Sequence, residues 1–280
     1  MALILVAVHQ HRPEAAKLAG EEVDWLLACG HTVELPPADA GLIGRPHLAR
    51  EQVSGRPYDL ALSIGGDGTM LRTVDLVAAA DVPVLGVNVG QLGYLVEIEP
   101  EGLRLAISHF LAGEYHVEER MRLEVRREGV EGSSCALNEL VLEKTPSGHT
   151  VRLAVTVDGS YFMTFAADGL IVATPTGSTA YALSARAPVV APTHRLMVLT
   201  PVAPHMLFDR SLVLEPTSQL RLEVCSWRPA ELFVDGRTVG VLLEGDAVVC
   251  VASPHPARLV VFERRDFLGI LKAKFGLNDR

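Results

Sequence analysis

The chain contains one glycine-rich turn with a carboxylate at its centre. An apolar run, DLALSI, is followed by GGDGT at residues 65–69 and then by a helical pattern. Glycine turns between a strand and a helix are typical of phosphate binding, because free N–H groups at a helix N-terminus attract anions. The turn has neither the lysine of GxxxxGK[ST] nor the spacing of GxGxxG. From the turn alone, a helix cap is the favoured interpretation of Asp67, and a role as general base needs partners elsewhere in the chain.

A polar pair interrupts an apolar strand farther along the chain. Asn138 and Glu139 lie inside CALNELVLEK. Taken alone, the pair favours a bulge at a sheet edge with solvated side chains over a ligand site. A chemical interpretation needs other polar groups nearby in the fold.

A second turn is rich in small hydroxyl side chains. Asp168 precedes the apolar run GLIVA, and TPTGSTAY follows it at residues 174–181. The proline and glycine predict a tight turn. The hydroxyls of Thr176, Ser178 and Thr179 are suited to donate to phosphate or sugar oxygens, and Tyr181 to stack on a base. The alternative is a surface turn without a ligand, and the density of donors favours the binding site.

The elements that position these residues differ between the two parts of the chain. Up to residue 112, apolar runs alternate with helical patterns, which predicts an open, Rossmann-like α/β sheet. Residues 36–57 interrupt this order as a long loop. From residue 113 to 262, period-two alternation and frequent turns predict an antiparallel β-sandwich. Residues 263–280 return to a helical pattern and are expected to pack on the first domain.

Composition excludes several classes of protein. The 280 residues are 49% hydrophobic and carry a net charge of −9, whereas a nucleic-acid-binding protein is expected to present a basic face. The four cysteines form neither a CxxC pair nor a cluster with zinc-like spacing, so no protein-held metal is predicted. No run approaches the ~20 apolar residues of a membrane span. We therefore expect a soluble cytoplasmic protein that acts on neither nucleic acid nor membrane.

Taken together, the motifs resemble those of the NAD kinases. GGDGT after a strand, GVNVGQLGYL at 86–95, the NE pair and DGLIVATPTGSTAY occur in that family's order, and LTPVAPH and VDG also fit. GGDGT alone is shared with lipid kinases and, loosely, with phosphofructokinases. The later motifs distinguish the NAD kinases, and the resemblance covers nearly the whole chain.

The resemblance implies transfer of a phosphoryl group from ATP, or from another donor such as polyphosphate, to the 2′-hydroxyl of the adenosine ribose of NAD. Asp67 is then the catalytic base, and Mg²⁺ is bound to the donor phosphates rather than held in a protein cage. A homotetramer or homodimer is implied, with a neighbouring subunit closing part of the site. The implied NAD contacts are Asp67, Gly68, Arg72, Tyr94, Asn138, Glu139, His149, Asp168, Thr179, Ala180, Tyr181, Ser184 and Asp235, and the implied phosphate contacts are Gly65, Gly66, Gly68, Thr69 and Arg72.

Two positions depart from the family's pattern. Arg186 stands where a glycine is usual after the Thr-rich turn, and Arg237 where glutamine often follows VDG. Neither position touches the implied chemistry, but both bear on substrate preference. The competing interpretations are a lipid or sugar kinase that shares GGDGT and a non-catalytic dinucleotide sensor. The polar pair and the Thr-rich turn favour a dinucleotide acceptor, and the intact Asp67 favours an enzyme.

Overall fold

The computed structural model describes residues 1–90, 93–96, 98–145, 149–263 and 266–277. These residues form two compact units. Unit 1 comprises Met1–Glu119 together with Ala257–Arg280, and unit 2 comprises Arg120–Pro256. The divisions therefore lie at 119/120 and 256/257, whereas the sequence pattern places them at 112/113 and 262/263.

Eighteen strands and six α-helices are present in the described residues. The strands are β1 (Leu3–Val8), β2 (Thr32–Glu34), β3 (Leu60–Gly65), β4 (Val84–Asn88), β5 (His116–Arg120), β6 (Leu123–Arg127), β7 (Ser134–Ala136), β8 (Glu139–Lys144), β9 (Val151–Val157), β10 (Ser160–Ala167), β11 (Gly169–Ala173), β12 (Met197–Val202), β13 (Leu212–Leu214), β14 (Leu220–Val224), β15 (Ala230–Val234), β16 (Arg237–Leu242), β17 (Ala247–Ala252) and β18 (Ala257–Val261). The helices are α1 (Pro13–Ala28), α2 (Pro37–Leu42), α3 (Asp67–Val77), α4 (Leu103–Ala112), α5 (Tyr181–Ser184) and α6 (Phe267–Phe275).

Unit 1 is built on a six-stranded sheet in the order β2-β1-β3-β4-β18-β5. Strands β1, β2, β3, β4 and β18 pair in parallel. All six residues of β3 and all five of β4 are buried, as expected for parallel strands covered on both faces. The predicted open α/β sheet is therefore confirmed.

The longer helices α1, α3 and α4 of unit 1 bury one face each. Helix α1 begins with Pro13 and buries Ala15, Ala19, Val23 and Leu26, a spacing that follows the helical period. Gly30 adopts a φ of +82° just beyond its end, as predicted for a residue that terminates a helix. The predicted long loop is only partly irregular, because residues 37–42 form α2 and Pro46–Leu48 a single 3₁₀ turn.

Unit 2 consists of two six-stranded sheets, and every strand pair that defines them is antiparallel. Their orders are β10-β9-β14-β17-β6-β7 and β13-β12-β11-β8-β15-β16. The period-two pattern decides which side chains are buried: Val151, Leu153 and Val155 of β9 enter the core, while Arg152 between them is exposed. Phe165 is the largest fully buried side chain of this core. The antiparallel domain predicted from the alternation is thus confirmed.

Candidate functional site

Asp67 opens helix α3, but its side chain does not cap that helix. The capping position is Gly66, and no side chain caps this end. The Asp67 carboxylate instead accepts hydrogen bonds from the backbone N–H of Tyr94 at 2.8 Å and of Leu95 at 3.0 Å. The first interpretation of Asp67, a helix cap, is therefore wrong, and the carboxylate is fixed by the segment that follows β4.

Two glycines allow the chain to approach closely around this carboxylate. A Cβ atom at Gly93 would overlap the Asp67 carboxylate, and one at Gly65 would overlap the Thr69 side chain. Gly93 of GVNVGQLGYL thus packs directly on the central acid of GGDGT, and Gly65 allows Thr69 to pack within the turn. Gln91 and Leu92 of GVNVGQLGYL lie outside the described residues.

The other side of the turn is open. A Cβ atom at Gly66 or Gly68 would meet nothing within 4 Å. The leading N–H groups of a helix have no partners within the helix, and here no side chain replaces them. Gly66 and Gly68 therefore leave backbone donors accessible to an anion, while Thr69 is buried and packs against Gly65.

Tyr94 lies beside the Asp67 carboxylate and is contacted by the C-terminal helix. Lys274 of α6 places its ammonium 4.1 Å from the centre of the Tyr94 ring, a cation–π contact. Burial, with a smaller contribution from the Asp67 charge, raises the pKa of Tyr94. Nothing in the sequence pattern indicated Lys274, because the partner residues are far apart in the chain.

Arg72 is held by a buried carboxylate in the segment predicted as a loop. Its guanidinium donates to both oxygens of Asp39, at 3.0 and 2.7 Å, and to the Val8 carbonyl at 2.7 Å. Asp39 is 0% exposed. Sequence reasoning missed Asp39, since an acidic residue in PPADAG carries no recognisable motif.

The segment after β1 adds further cationic and imidazole groups at the same edge of the sheet. Arg12 donates to the Val89 carbonyl and packs on Gly90, whose φ is +122°. Burial, followed by the charges of Arg12, His11 and Arg72, lowers the pKa of His9. Sequence reasoning named neither Arg12 nor His9, although HQHRP directly after a buried strand was the available signal.

In unit 2, Asp235 fixes the polar pair. Its carboxylate accepts the backbone N–H groups of Leu137 at 2.7 Å, Asn138 at 2.8 Å and Glu139 at 3.2 Å. Asp235 itself has a φ of +48°, in the left-handed region that an Asp-Gly turn favours. Asp235 thus holds the backbone of the Asn138–Glu139 pair, and burial raises its pKa despite the three N–H donors.

Glu139 is a buried acid. Its side chain is 7% exposed, and Oε2 has no hydrogen-bond partner among the described residues. Burial, reinforced by the nearby Asp235 charge, raises the pKa of Glu139 to about 8, while the Tyr181 backbone N–H favours the ionised form. Glu139 is therefore able to donate as well as to accept a hydrogen bond near neutral pH.

The hydroxyls of the Thr-rich turn serve mainly the turn itself. Thr174 donates to the Leu137 carbonyl at 2.6 Å, and Ser178, which is 0% exposed, donates to the Pro175 carbonyl at 2.7 Å. Thr176 is also buried, at 6% exposed. The expectation that Ser178 presents its hydroxyl to a ligand does not agree with this burial. The turn abuts the polar pair, because a Cβ atom at Gly177 would overlap the Asn138 carbonyl oxygen.

The remaining predicted contacts of unit 2 are partly exposed. Asp168 forms an ion pair with Lys144 at 2.6 Å. Burial, followed by the charges of Glu143, Asp168 and Glu139, raises the pKa of the half-buried Tyr181. The hydroxyl of Thr179 donates to the Thr176 carbonyl at 3.2 Å. Of the other three residues, Ala180 is half-buried, and Ser184 and His149 are exposed.

Arg186 and Arg237 occupy the two positions that depart from the family's pattern. Arg186 has a φ of +64° directly after α5. Its N–H donates to the Leu183 carbonyl, and that of Ala187 to the Ala182 carbonyl, which is the Schellman arrangement that ends a helix. Arg237 is exposed at the start of β16.

Among the residues that the structure describes, no three His, Cys, Asp or Glu side chains are grouped so as to hold a metal ion. Within the same residues, no helix is both long and apolar enough to cross a membrane.

Comparison with protein families gives two matches that follow one another along the chain. The ATP-NAD kinase N-terminal domain matches residues 4–115, and the ATP-NAD kinase C-terminal domain matches residues 137–262.

Individual relatives match over the full length. An NAD kinase from Symbiobacterium thermophilum is 40% identical over 96% of this chain and 97% of its own length. One from Moorella thermoacetica is 38% identical over 98% of this chain and 89% of its own. Among solved structures, yeast NADH kinase complexed with NADH superposes with a TM-score of 0.89 at 26% identity, covering 100% of this chain and 89% of that one. An Archaeoglobus fulgidus NAD kinase in complex with ATP gives a TM-score of 0.73 at 25% identity, with 99% of each chain covered.

Proposed function

This chain belongs to the ATP-NAD kinase family and is a kinase that phosphorylates NAD, and from that premise we propose that Asp67 removes the proton from the acceptor hydroxyl. The reaction joins the terminal phosphoryl group of ATP to the 2′-hydroxyl of the adenosine ribose of NAD and yields NADP. A sugar hydroxyl is a poor nucleophile while it holds its proton. A carboxylate within hydrogen-bond reach accelerates the attack by roughly 10²–10⁴.

One observation supports this role above the others. The Asp67 carboxylate is turned away from its own helix and is held by two N–H donors from another segment. Each carboxylate oxygen has a second lone-pair direction for a substrate hydroxyl, because two oxygens offer about four acceptor positions. A residue needed only to cap α3 would not require this support.

The phosphates of ATP are proposed to bind at the open side of the turn. Gly66 and Gly68 keep the backbone accessible, Gly65 allows Thr69 to pack closely beneath the turn, and Arg72 and the N-terminus of α3 supply positive potential. Mg²⁺ is proposed to enter with ATP, as part of the substrate. It would offset the phosphate charge that the lysine of a Walker loop offsets in other folds.

Several of the residues described above are proposed to contact NAD. Tyr94 and Asp67 belong to unit 1. Asn138 and Glu139 are proposed to bind the ribose and adenine ends, and Asp168, Thr179, Ala180, Tyr181 and Ser184 the nicotinamide half. His149 and Asp235 occupy less central positions in this proposal, and the three N–H bonds of Asp235 support a positioning role.

Self-association as a homodimer or homotetramer is also proposed, with part of each site closed by a neighbouring subunit. Strands β10 and β16, at the ends of the two sheets of unit 2, carry exposed Tyr161, Phe162 and Val241. Sheet edges with apolar side chains are suited to pair with another chain.

The test of the base is Asp67→Asn, assayed with Mg-ATP and with NAD or NADH as acceptor. The amide keeps the size of the side chain but is a poor proton acceptor, so we expect kcat to fall by about 10²–10⁴ with a much smaller change in KM. Asp75→Asn on the same helix is the matched control and should keep normal turnover. Near-normal kcat in Asp67→Asn, in protein whose thermal unfolding is intact, would remove Asp67 from this role.

A further inference from the structure

The Asp39 carboxylate is the most deeply buried charge at the carboxyl edge of the parallel sheet in unit 1. It is 0% exposed and accepts hydrogen bonds from Arg72, from the Gln10 amide and, at 2.9 Å, from the Val8 backbone N–H. A buried carboxylate is stable only when it is paired and hydrogen-bonded, and here the donors come from two parts of the chain, the end of β1 and helix α3.

The contact fixes the orientation of the Arg72 side chain. Both terminal nitrogens of the guanidinium bind the two Asp39 oxygens in a fork, and one of them also reaches the Val8 carbonyl. A guanidinium has five N–H groups, so these three bonds leave two for another acceptor. The Arg72 side chain is 30% exposed while that of Asp39 is completely covered, so the side of the pair open to a ligand belongs to the arginine.

The pair lies next to the glycine turn. Val8 is the register partner of Ile64 in the neighbouring strand, and the His9 N–H donates to the Ile64 carbonyl at 2.9 Å. Ile64 immediately precedes Gly65, and Arg72 lies on the helix that the turn begins. The carboxyl end of β1, Asp39 and Arg72 therefore form one rigid support beside residues 65–69.

We propose that Asp39 is a positioning residue that holds the Arg72 guanidinium toward the phosphates of a bound nucleotide. The proposal rests on the function proposed above, in which Arg72 faces phosphate. Asp39 does not touch substrate in this arrangement. Asp39 restricts the conformational freedom of the long Arg72 side chain before binding, so the entropy cost of ordering this side chain on phosphate binding is smaller.

The test measures KM for Mg-ATP and for NAD separately, since the phosphate bound by Arg72 belongs to one or the other. Asp39→Asn places an amide N–H₂ group against the Arg72 donors and breaks the fork. We expect KM for one nucleotide to rise roughly tenfold, with kcat within about twofold of that of the unaltered protein.

Glu22→Gln is the matched control. Glu22 is another buried carboxylate of unit 1, 5% exposed, and it binds Arg104 at 3.1 Å. Its replacement should lower the unfolding temperature but leave both KM values unchanged.

Two further variants separate this proposal from the proposed function. In an Arg72→Gln background, Asp39→Asn should cause no additional rise in KM, because Asp39 acts only through Arg72. Arg72→Lys keeps the charge without the fork and should raise the same KM roughly tenfold, which tests the proposal even if Asp39→Asn fails to fold. If Arg72→Gln raises KM but Arg72→Lys does not, positioning by Asp39 is overturned while the phosphate contact stands. If Arg72→Gln leaves both KM values unchanged, the phosphate contact itself is wrong, and the positioning role is overturned with it.

Discussion

At the scale of single residues, acids in this molecule have distinct environments. Asp67 receives two backbone N–H groups and Asp235 receives three, whereas Glu139 has a buried oxygen without a partner in the described chain. Backbone donors favour the ionised form of a carboxyl group and burial favours the protonated form; in Asp235 and Glu139 burial dominates and raises the pKa. The sequence names all three as acids and does not distinguish their environments, because that difference arises from distant segments.

Glu139 should make stability depend on pH. Burial raises the pKa of Glu139 from its ordinary value of 4.5 to about 8 in the folded protein, so the folded state binds more protons than the unfolded state between these limits. Stability therefore falls as pH rises from about 4.5 to 8, by at most roughly 1.4 kcal/mol per pH unit. Glu139→Gln cannot ionise and should remove this contribution. Urea unfolding at pH 5, 6.5 and 8 measures it.

The control for this effect is Glu143→Gln, which lies on the same strand and is only half-buried. Its unfolding free energy should follow the same pH dependence as the unaltered chain. An equal slope in Glu139→Gln would show that Glu139 ionises normally in the folded protein.

Gly93 should be required for turnover. A methyl group at this position would overlap the Asp67 carboxylate, which must then turn away from the Tyr94 and Leu95 N–H groups. We expect Gly93→Ala to reduce kcat by about 10²-fold or more, because small displacements of a catalytic group have effects of that size. Gly102→Ala is the control, since a Cβ there meets only Ile98 at 3.8 Å. Steady-state kinetics with full turnover in Gly93→Ala would contradict the close approach.

At the scale of elements, the short helix α5 ends in a way that the residue at its end does not favour. Arg186 has a φ of +64° in the Schellman arrangement, where glycine is usual. The left-handed conformation costs a non-glycine residue about 1–2 kcal/mol. Glycine avoids this cost in the folded state, but the greater conformational entropy of its unfolded chain cancels part of the stabilisation. The departure from the family's pattern is thus a local backbone strain.

Arg186→Gly should therefore raise the free energy of unfolding by up to about 1 kcal/mol. Urea denaturation of both chains at one pH measures the difference. Arg237→Gly provides a comparison that removes an exposed arginine without relieving a positive φ, and it should not be stabilising. A loss of stability in Arg186→Gly would mean that the arginine side chain makes contacts that outweigh the backbone strain.

The order of elements was largely predictable, and the contacts between distant segments were not. Apolar runs and helical periods indicated β1, α1, β3, α3 and β4 because each pattern is local. The contact of Asp67 with residues 94 and 95 depends on how two segments about 27 residues apart meet, and no local period contains that information. The same reason applies to Asp39 and Arg72, 33 residues apart. Family resemblance supplied the candidate site residues, whereas composition and periodicity supplied only the fold class.

At the scale of the whole molecule, the exposed apolar side chains of unit 2 lead to a prediction about assembly. Tyr161 on β10 is 66% exposed and Val241 on β16 is 45% exposed. Both strands end a sheet, where backbone groups lack one neighbour. We expect light scattering to give a mass about two or four times the 30.2 kDa of one chain.

Val241→Lys should reduce that mass or make it depend on protein concentration, because a charge at an apolar contact is costly to bury. Val130→Lys, at another exposed valine outside the strands, is the control and should leave the mass unchanged. A mass of 30.2 kDa for the unaltered chain at all concentrations would contradict self-association.

The position of β18 gives the molecule an order of completion during synthesis. This strand lies between β4 and β5 in the sheet of unit 1, yet it follows the whole of unit 2 along the chain. On the ribosome, both sheets of unit 2 are available to fold while the parallel sheet still lacks an interior strand, since domains fold as their segments emerge. Unit 1, which carries Asp67, is therefore the last to be completed. A nascent chain released before Ala257 has the dinucleotide motifs but lacks the complete sheet that supports the Asp67 carboxylate.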